Sequence, residues 1–308
     1  MIHNVSFNKP PTALSSLIES FTSKPRPQTS KICIASSHNI IYIHRSLVQA
    51  MDSIYTPLFS VTATRLLNIE PSATKASPLV CTFHQTDIRQ ATGYAAYSAV
   101  SYVWGDENLT QEITSQGKPA TIRQNLFDFL IQARENGWTK YVWIHALCIN
   151  QNDIPKRNQQ VAMMGEIYLS ASNVLIWLGT MDEDEISTLR SVEILECAPR
   201  RNGSHFGPRF DAKKLWSNLR LKALYGILGR EYWSRKWIIQ EITLASENAS
   251  IVCGNGQLRL RTLLRFCEYL TPEALDELKI KRPVYFHNIF NYFVEKERLK
   301  TGYRWARW

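Results

Sequence analysis

The order of apolar and polar positions predicts strands and helices that alternate along the chain. Residues 79–83 and 99–104 are short apolar runs of strand length, and the turn residues Gly105 and Asp106 follow the second run. Apolar side chains then recur at three-to-four spacing from residue 126 to 131. That spacing predicts a helix capped by Thr121 and ended by Gly137.

The next stretch predicts a strand, a helix and a second strand. Residues 141–149 are apolar at nearly every position except His145, a pattern typical of a strand covered on both faces. Pro155 suits the first turn of a helix. Four apolar positions share one face of that helix: Val161, Met164, Tyr168 and Ala171. A strand at 174–178 completes a βαβ unit, which predicts an α/β fold with a parallel sheet and helices on both faces.

The second half of the chain continues this alternation. The acidic run 182–185 predicts a helix start, because carboxylates favour the positive end of the helix dipole. A loop at 199–208 precedes two predicted helices, 212–228 and 235–245, and a strand at 250–253 ends in the turn residues Asn255 and Gly256. We therefore expect three parts: an N-terminal arm (1–54), an α/β domain (55–256) and a helical C-terminal extension (257–308) that ends without a polar tail, as a truncated product would.

Composition places the chain among globular proteins. Its 308 residues are 44% hydrophobic, enough to bury a sizeable core. No apolar run reaches the roughly eighteen residues of a membrane span, and residues 1–11 lack the pattern of a secretory signal. The six cysteines have no paired spacing, so we expect a reducing, cytoplasmic setting. Residues 1–51 fit a transit peptide or a flexible arm, and we favour the arm.

The net charge of +9 is unevenly distributed. Residues 200–240 contain ten Lys/Arg against Asp211 and Glu231. Such a segment attracts a phosphate-bearing ligand or an anionic surface, or it is a solvated basic helix face. We favour the solvated face and expect no nucleic-acid partner, because no nucleic-acid motif accompanies the charge.

Familiar catalytic and metal motifs find little support. Cys81 and His84 have metal-ligand spacing but lack a second pair, so we expect no metal. The Gly-rich phosphate loops of P-loop and dinucleotide-binding folds are absent from the sequence. Cys148 with His145 suggests a nucleophile pair, but residues three apart on the expected strand point to opposite faces. We therefore expect no such pair.

One nine-residue stretch, Trp143-Ile144-His145-Ala146-Leu147-Cys148-Ile149-Asn150-Gln151, joins an apolar run directly to a polar pair. Further blocks flank it: Tyr97-Ser98-Ala99-Val100-Ser101-Tyr102-Val103-Trp104-Gly105-Asp106, Trp177-Leu178-Gly179, Tyr232-Trp233-Ser234-Arg235-Lys236-Trp237, Gln240-Glu241 and Cys253-Gly254. Together these blocks resemble the fungal heterokaryon-incompatibility (HET) domain family over roughly residues 55–254. Two positions depart from the family pattern: His145 stands where Asp is usual, and Lys156 stands where Glu commonly precedes Arg157.

The resemblance implies a fold similar to Toll/interleukin-receptor (TIR) domains, which is flavodoxin-like, and a role in nonself recognition and programmed cell death. Some TIR domains hydrolyse NAD with a Glu four residues after a Trp, which the resemblance maps onto Glu241. A carboxylate there would stabilise the positive charge that builds on the ribose carbon as nicotinamide leaves. Alternatively, Glu241 pairs with Arg235, Lys236 or a helix N-terminus and is structural.

The candidate ligand-binding residues follow strand ends, where open α/β sheets bind ligands, or lie in the resembling blocks. They are Trp104, Gly105, Asp106, His145, Asn150, Gln151, Arg157 and Trp237. Asn150 and Gln151 could instead satisfy their own turn, and Trp104 could be core. NAD is expected as a substrate, with no resident cofactor.

A non-enzymatic role is the rival interpretation. His145 cannot supply the negative charge of the usual Asp, so the chain could be an inactive family member. In that case we expect an adaptor-like signalling module that associates with itself or with other incompatibility proteins.

Overall fold

The computed structural model of the protein describes residues 32–36, 39–43, 54–89, 96–197, 221–235, 238, 241–242, 248–253, 256–268 and 291. Two contiguous units are distinguished, 1–46 and 47–308. In the first unit, strands β1 (Ile32–Ser36) and β2 (Asn39–Ile43) form an antiparallel hairpin. This hairpin lies within the stretch that was expected to be an arm.

The second unit is built on one sheet, to which the described residues contribute nine strands. They are β3 (Ala63–Ile69), β4 (Val80–Asp87), β5 (Ser98–Tyr102), β6 (Thr110–Ser115), β7 (Lys118–Arg123), β8 (Val142–Trp143), β9 (Asn173–Trp177), β10 (Ala249–Cys253) and β11 (Gly256–Arg259). Their spatial order is β11-β10-β9-β5-β8-β3-β4-β6-β7. The predicted α/β class is therefore confirmed.

The centre of the sheet is parallel and its flanks are mostly antiparallel. Strand β5 pairs in parallel with β8 and β9, and β9 pairs in parallel with β10. Counted along the chain, these four strands have the order 2-1-3-4, which flavodoxin-like folds share. The expected parallel sheet holds for these four strands, but the whole sheet is mixed, because β3 pairs antiparallel with β4 and β8 and each edge strand pairs antiparallel with its neighbour.

The helices that the structure describes in the second unit lie between these strands or follow the last of them. They are α1 (Gln124–Glu135), α2 (His145–Cys148), α3 (Ile154–Ala162), α4 (Met164–Ser170), α5 (Glu183–Cys197), α6 (Leu221–Leu228), a 3-10 helix (Glu231–Ser234) and α7 (Leu260–Glu268). The connections from β5 to β8 and from β8 to β9 run in opposite directions along the sheet, and because such crossovers are right-handed as a rule, we expect α1 and α2–α4 on opposite faces. No described helix has the length and apolarity to cross a membrane.

The predicted strand 141–149 was wrong beyond its first residues. Only Val142–Trp143 is a strand, and His145–Cys148 forms the helical turn α2. Side chains from the preceding segment hold this turn: the Tyr55 hydroxyl donates to the Leu147 carbonyl (2.9 Å), and Arg65 donates to the Cys148 carbonyl (3.3 Å). The apolar pattern indicated that these residues are buried, but it did not indicate their backbone conformation.

Two smaller boundary predictions also need correction. Thr121 does not cap a helix, because it lies in β7, which pairs with β6 in a hairpin. Helix α1 begins three residues later, with Arg123 at its N-cap position. The predicted helix after Pro155 is interrupted at Met163, whose amide still bonds to the carbonyls of Gln159 and Gln160. The predicted strand at 174–178 and helix start at 182–185 are confirmed.

The largest buried side chains pack around the centre of the sheet. Trp143 and Trp233 are the bulkiest of them, and Phe129 of α1 meets the Trp177 ring edge-on at 5.8 Å. A polar relay ties α3 to the sheet: Trp143 Nε1 donates to Thr64 Oγ1 (3.1 Å), and Thr64 donates to Gln160 (2.8 Å). These contacts fix the strand ends from which the candidate site is built.

Candidate functional site

A buried cluster of charged and polar side chains, the ionic cluster, joins the end of β5 to Glu241. Glu241 is 2% exposed, and Arg235 donates to both of its carboxylate oxygens at 3.3 and 3.4 Å. Ser101 in β5 donates to Glu241 Oε2 and exchanges a 2.7 Å hydrogen bond with the Tyr232 hydroxyl. The pairing with Arg235 is the structural alternative that the sequence left open for Glu241.

The shifted pKa values of the neighbouring side chains indicate that these groups lie together in one enclosed region. Burial raises the pKa of Tyr232 and of Tyr168, and the nearby Glu241 charge adds to both shifts. Burial is the largest influence and by itself lowers the pKa of Arg235, but the interactions with Glu241, Tyr232, Tyr168 and Tyr102 together outweigh it, so the pKa of Arg235 is raised. The guanidinium therefore stays charged, and it neutralises the carboxylate in the interior.

A second group of aromatic rings surrounds His145. The rings of Trp104 and Tyr102 lie 5.1 and 5.4 Å from the imidazole centroid, and that of Trp143 lies 6.5 Å away. Trp104 Nε1 donates a hydrogen bond to His145 Nε2. An imidazole nitrogen that accepts a hydrogen bond carries no proton, so this contact selects the neutral ring.

The protonation state of His145 follows from its surroundings. Burial, together with the smaller effect of the nearby positive charge of Arg235, lowers the pKa of His145 to about 3. Arg235 thus influences both His145 and Glu241, which links the aromatic group to the ionic cluster. Within the described residues, His145 Nδ1 has no hydrogen-bond partner. At neutral pH, His145 is an uncharged acceptor where the family that the sequence resembles usually has a carboxylate.

The predicted polar residues after α2 hold their own loop together. Gln151 Nε2 donates to the His145 carbonyl at 3.0 Å, and Arg157 donates to the Gln151 carbonyl at 3.2 Å. Asn150 Oδ1 accepts from the Asn152 amide at 3.1 Å. Gln151 therefore lies next to His145 and Arg157 contacts Gln151, whereas the contact of Asn150 stays within its turn.

The predicted residues after β5 form a turn that Arg123 clamps. Gly105 has a φ of +76°, and Arg123 donates to its carbonyl at 2.7 Å while lying 5.2 Å above the Trp104 ring. Asp106 accepts from the Asn108 amide at 2.9 Å, which is the usual role of Asp in a turn. Trp237, the remaining predicted ligand residue, lies outside the described residues.

The sequence interpretation missed three members of this region. Ser101 and Tyr232 bond to each other, and Ser101 also bonds to Glu241, although neither was predicted to belong to the site. Both lie inside the resembling blocks, so the signal was present but pointed to the block rather than to the side chain. Asn125 was also missed: it donates to the Val103 carbonyl (2.5 Å) and accepts from Trp177 Nε1 (2.9 Å).

The arrangement limits the chemistry that Glu241 can perform. An ionised carboxylate stabilises a developing positive charge well, but here Arg235 already neutralises it and Ser101 occupies one oxygen. Cys148 is no nucleophile partner for His145, because burial raises its thiol pKa to about 12 and its sulfur accepts from the Ile144 amide. Among the described residues, no group of three or more His, Cys, Asp or Glu is placed to hold a metal.

Comparisons with known proteins match the central part of the chain. A family model described as heterokaryon incompatibility protein (HET) matches residues 97–241. Heterokaryon incompatibility protein 6, OR allele, of Neurospora crassa is 32% identical over 133 residues, which cover 39% of this chain and 19% of that relative. The matched region is thus about a fifth of the relative's length. No solved structure matches.

Proposed function

We propose a role in fungal heterokaryon incompatibility for this protein, which carries a domain of the heterokaryon incompatibility (HET) family at residues 97–241. In this role the domain takes part in recognising nonself after cell fusion and in triggering programmed cell death. Because the matched relative is much longer than the matched region, the proposal concerns the domain and not the whole activity of that relative.

The ionic cluster is the observation that supports this proposal. Ser101, Tyr232, Arg235 and Glu241 all lie inside the family match, which starts four residues before Ser101 and ends on Glu241. A buried ion pair needs compensating hydrogen bonds to be tolerated, and Ser101 supplies one of them here. The family region therefore contains all four members of the ionic cluster.

The geometry favours a signalling module over an enzyme. Both oxygens of Glu241 have partners, and the residue is 2% exposed. His145 is neutral, so it supplies no negative charge beside the aromatic rings. A module of this kind acts by assembling with copies of itself or with other incompatibility proteins, and it consumes no substrate.

NAD hydrolysis is the second candidate, and the position of Glu241 favours it. The carboxylate bonds to Ser101, next to the carboxyl end of β5, and this edge of the central parallel strands is where open α/β sheets bind ligands. In the reaction, the bond between ribose C1 and the nicotinamide nitrogen breaks, and its electrons leave with nicotinamide. A water oxygen then bonds to C1 and releases a proton. Glu241 would stabilise the cationic carbon after exchanging its Ser101 contact for substrate.

A nicotinamide-release assay separates the two candidates. Purified protein at high concentration is incubated with NAD, and nicotinamide is followed by chromatography for the wild type, Glu241→Gln and Glu231→Gln. Glu231 is exposed, so its variant is the matched control for loss of one carboxylate. Release that disappears only in Glu241→Gln, while its circular dichroism spectrum matches that of the wild type, would establish hydrolysis. No release from folded wild type would leave the signalling module.

A further inference from the structure

A groove on the α1 side of the sheet is separate from the ionic cluster. It has a volume of about 590 Å³ and lies between the 75–79 loop, β6, α1 and the segment that follows β9. Its large apolar side chains include Phe127, Ile131, Trp177, Met181 and Ile186. Neither Glu241 nor His145 lines it. Its size is within the range of ligand-binding clefts in general.

The wall of the groove is held in place by hydrogen bonds. The buried guanidinium of Arg134 donates to the carbonyls of Lys75 (2.8 Å), Ser77 (3.0 Å) and Pro78 (3.0 Å). Lys75 also pairs with Glu135 across the loop at 3.1 Å. These contacts fix the loop against α1, so the groove exists without a ligand.

The groove is acidic although the chain is basic. Its charged lining residues are Lys75, Glu112, Asp128 and Glu135, a net charge of −2 in a chain of net +9. The ammonium of Lys75 is engaged by Glu135, so Glu112 and Asp128 carry the negative potential. Glu112 is exposed on β6, the strand next to the edge strand β7. Carboxylates above an apolar floor select a partner that combines cationic and apolar side chains.

We propose that this groove binds the basic segment 199–220 of a second copy of the chain. That segment contains six Lys/Arg against a single Asp, and it interleaves them with Phe206, Phe210, Leu215 and Trp216. Its cations complement Glu112 and Asp128, and its aromatic and aliphatic side chains complement the apolar floor. The same chain supplies groove and segment, so each copy can bind the next and assembly grows with concentration.

This inference deepens the signalling-module proposal and rests on it. Contacts between exposed charges are individually weak and are screened by salt. The assembly is therefore expected to be reversible, to increase with protein concentration and to weaken strongly between 0.05 and roughly 0.5 M salt. A crowded or locally concentrated state of the protein would favour it.

Light scattering on the purified full chain, with reciprocal charge reversal, tests the pairing. Glu112→Lys in the groove, and Lys213→Glu with Lys214→Glu in the segment, should each weaken assembly about tenfold. Combining the three changes should restore it, because the opposite charges then face each other again. Glu193→Lys, an exposed residue of α5 outside the groove lining, makes the same charge change as Glu112→Lys and should leave assembly unchanged.

The possible outcomes separate failure of the groove contact from failure of the signalling-module proposal. Assembly that persists equally in Glu112→Lys would overturn the groove as the contact but leave a self-associating module. A wild type that stays monomeric at every concentration would overturn both. Failure of the triple variant to regain assembly, while its circular dichroism spectrum is unchanged, would also overturn the proposed pairing.

Discussion

Glu241 supplies the negative charge that compensates the buried positive charge of Arg235. Their side chains are 3% and 18% exposed, and they meet at 3.3 Å. In Glu241→Gln the shape is kept but the Arg235 charge loses its counter-charge. We expect a loss of about 3 kcal/mol in the free energy of unfolding, since unpaired buried charges are costly. Urea denaturation followed by tryptophan fluorescence measures it.

The control for this prediction is Glu231→Gln, which removes an exposed carboxylate from the neighbouring 3-10 helix. It should change the free energy of unfolding by less than about 0.5 kcal/mol. Equal stability of Glu241→Gln and the wild type would contradict the structural role of the ion pair. Because of its burial, Glu241→Ala is a poor variant for activity tests, since loss of turnover there would also follow from loss of the fold.

His145 makes stability depend on pH in a predictable direction. Its pKa falls from about 6.5 in the unfolded chain to about 3 in the folded protein. Between these values the unfolded state binds the extra proton, so stability decreases as pH falls through this window. From pH 7 to pH 5 the loss attributable to His145 is about 2 kcal/mol.

The variant His145→Gln isolates this contribution, because glutamine keeps a hydrogen-bond acceptor for Trp104 but does not titrate. Free energies of unfolding at pH 7, 6 and 5 should fall more steeply for the wild type than for the variant. Parallel pH profiles would mean that His145 is protonated in the folded protein. They would also remove the reason for treating it as a neutral acceptor.

At the scale of single residues, the sequence indicated which side chains belong to the site better than it indicated their hydrogen-bond partners. It named Glu241 and considered Arg235 as its partner, and it placed Trp104 and His145 among the site residues, which the fold brings into contact. It did not find Ser101 or Tyr232, because their hydroxyls meet across 131 positions of the chain. Such pairs depend on strand order, which no local pattern encodes.

The turn after β5 shows how an element end depends on a glycine. Gly105 and Gly117 have nearly equal φ values, +76° and +73°. A Cβ at Gly105 would lie 3.1 Å from Asn125 Cβ, whereas one at Gly117 would meet nothing within 4 Å. Gly117→Ala should therefore cost only the backbone strain, about 1 kcal/mol, and Gly105→Ala should cost about 1–2 kcal/mol more.

The extra cost arises because Asn125 bridges the ends of β5 and β9 through Val103 and Trp177. Thermal unfolding of the two alanine variants, compared with the wild type, measures the difference. Equal destabilisation by both changes would show that the Asn125 bridge gives way without cost. In that case the close approach at Gly105 would have no structural importance.

Periodicity predicted elements where one face was clearly apolar and failed where burial was uniform or absent. Residues 141–149 are apolar enough for a strand. However, the second half of this run forms a helical turn, and its carbonyls accept hydrogen bonds from Tyr55 and Arg65. The hairpin of β6 and β7 was missed, because most of its outward positions are polar. Local pattern alone could resolve neither case.

At the scale of the molecule, the βαβ unit was predictable and the complete sheet was not. The apolar runs predicted β5, β9 and β10, and the βαβ unit predicted a parallel sheet, whose central pairings are parallel. The antiparallel strands β3 and β4 could not be placed, because β3 joins the sheet through one pair of residues, Leu67 and Val142, far apart in sequence. A flavodoxin-like relationship therefore rests on the 2-1-3-4 order of the central strands and remains a proposal.

The most direct test of the central claim is hyphal death after induced expression of the chain in a filamentous fungus. Vital-dye uptake is scored against the amount of soluble protein, with Glu231→Gln as a control that preserves the cluster and Glu241→Gln as the variant that disrupts it. The account predicts death that rises with the level of the wild type and of Glu231→Gln, and much less death with Glu241→Gln. Full viability of hyphae that accumulate soluble, folded wild type would contradict a role in incompatibility.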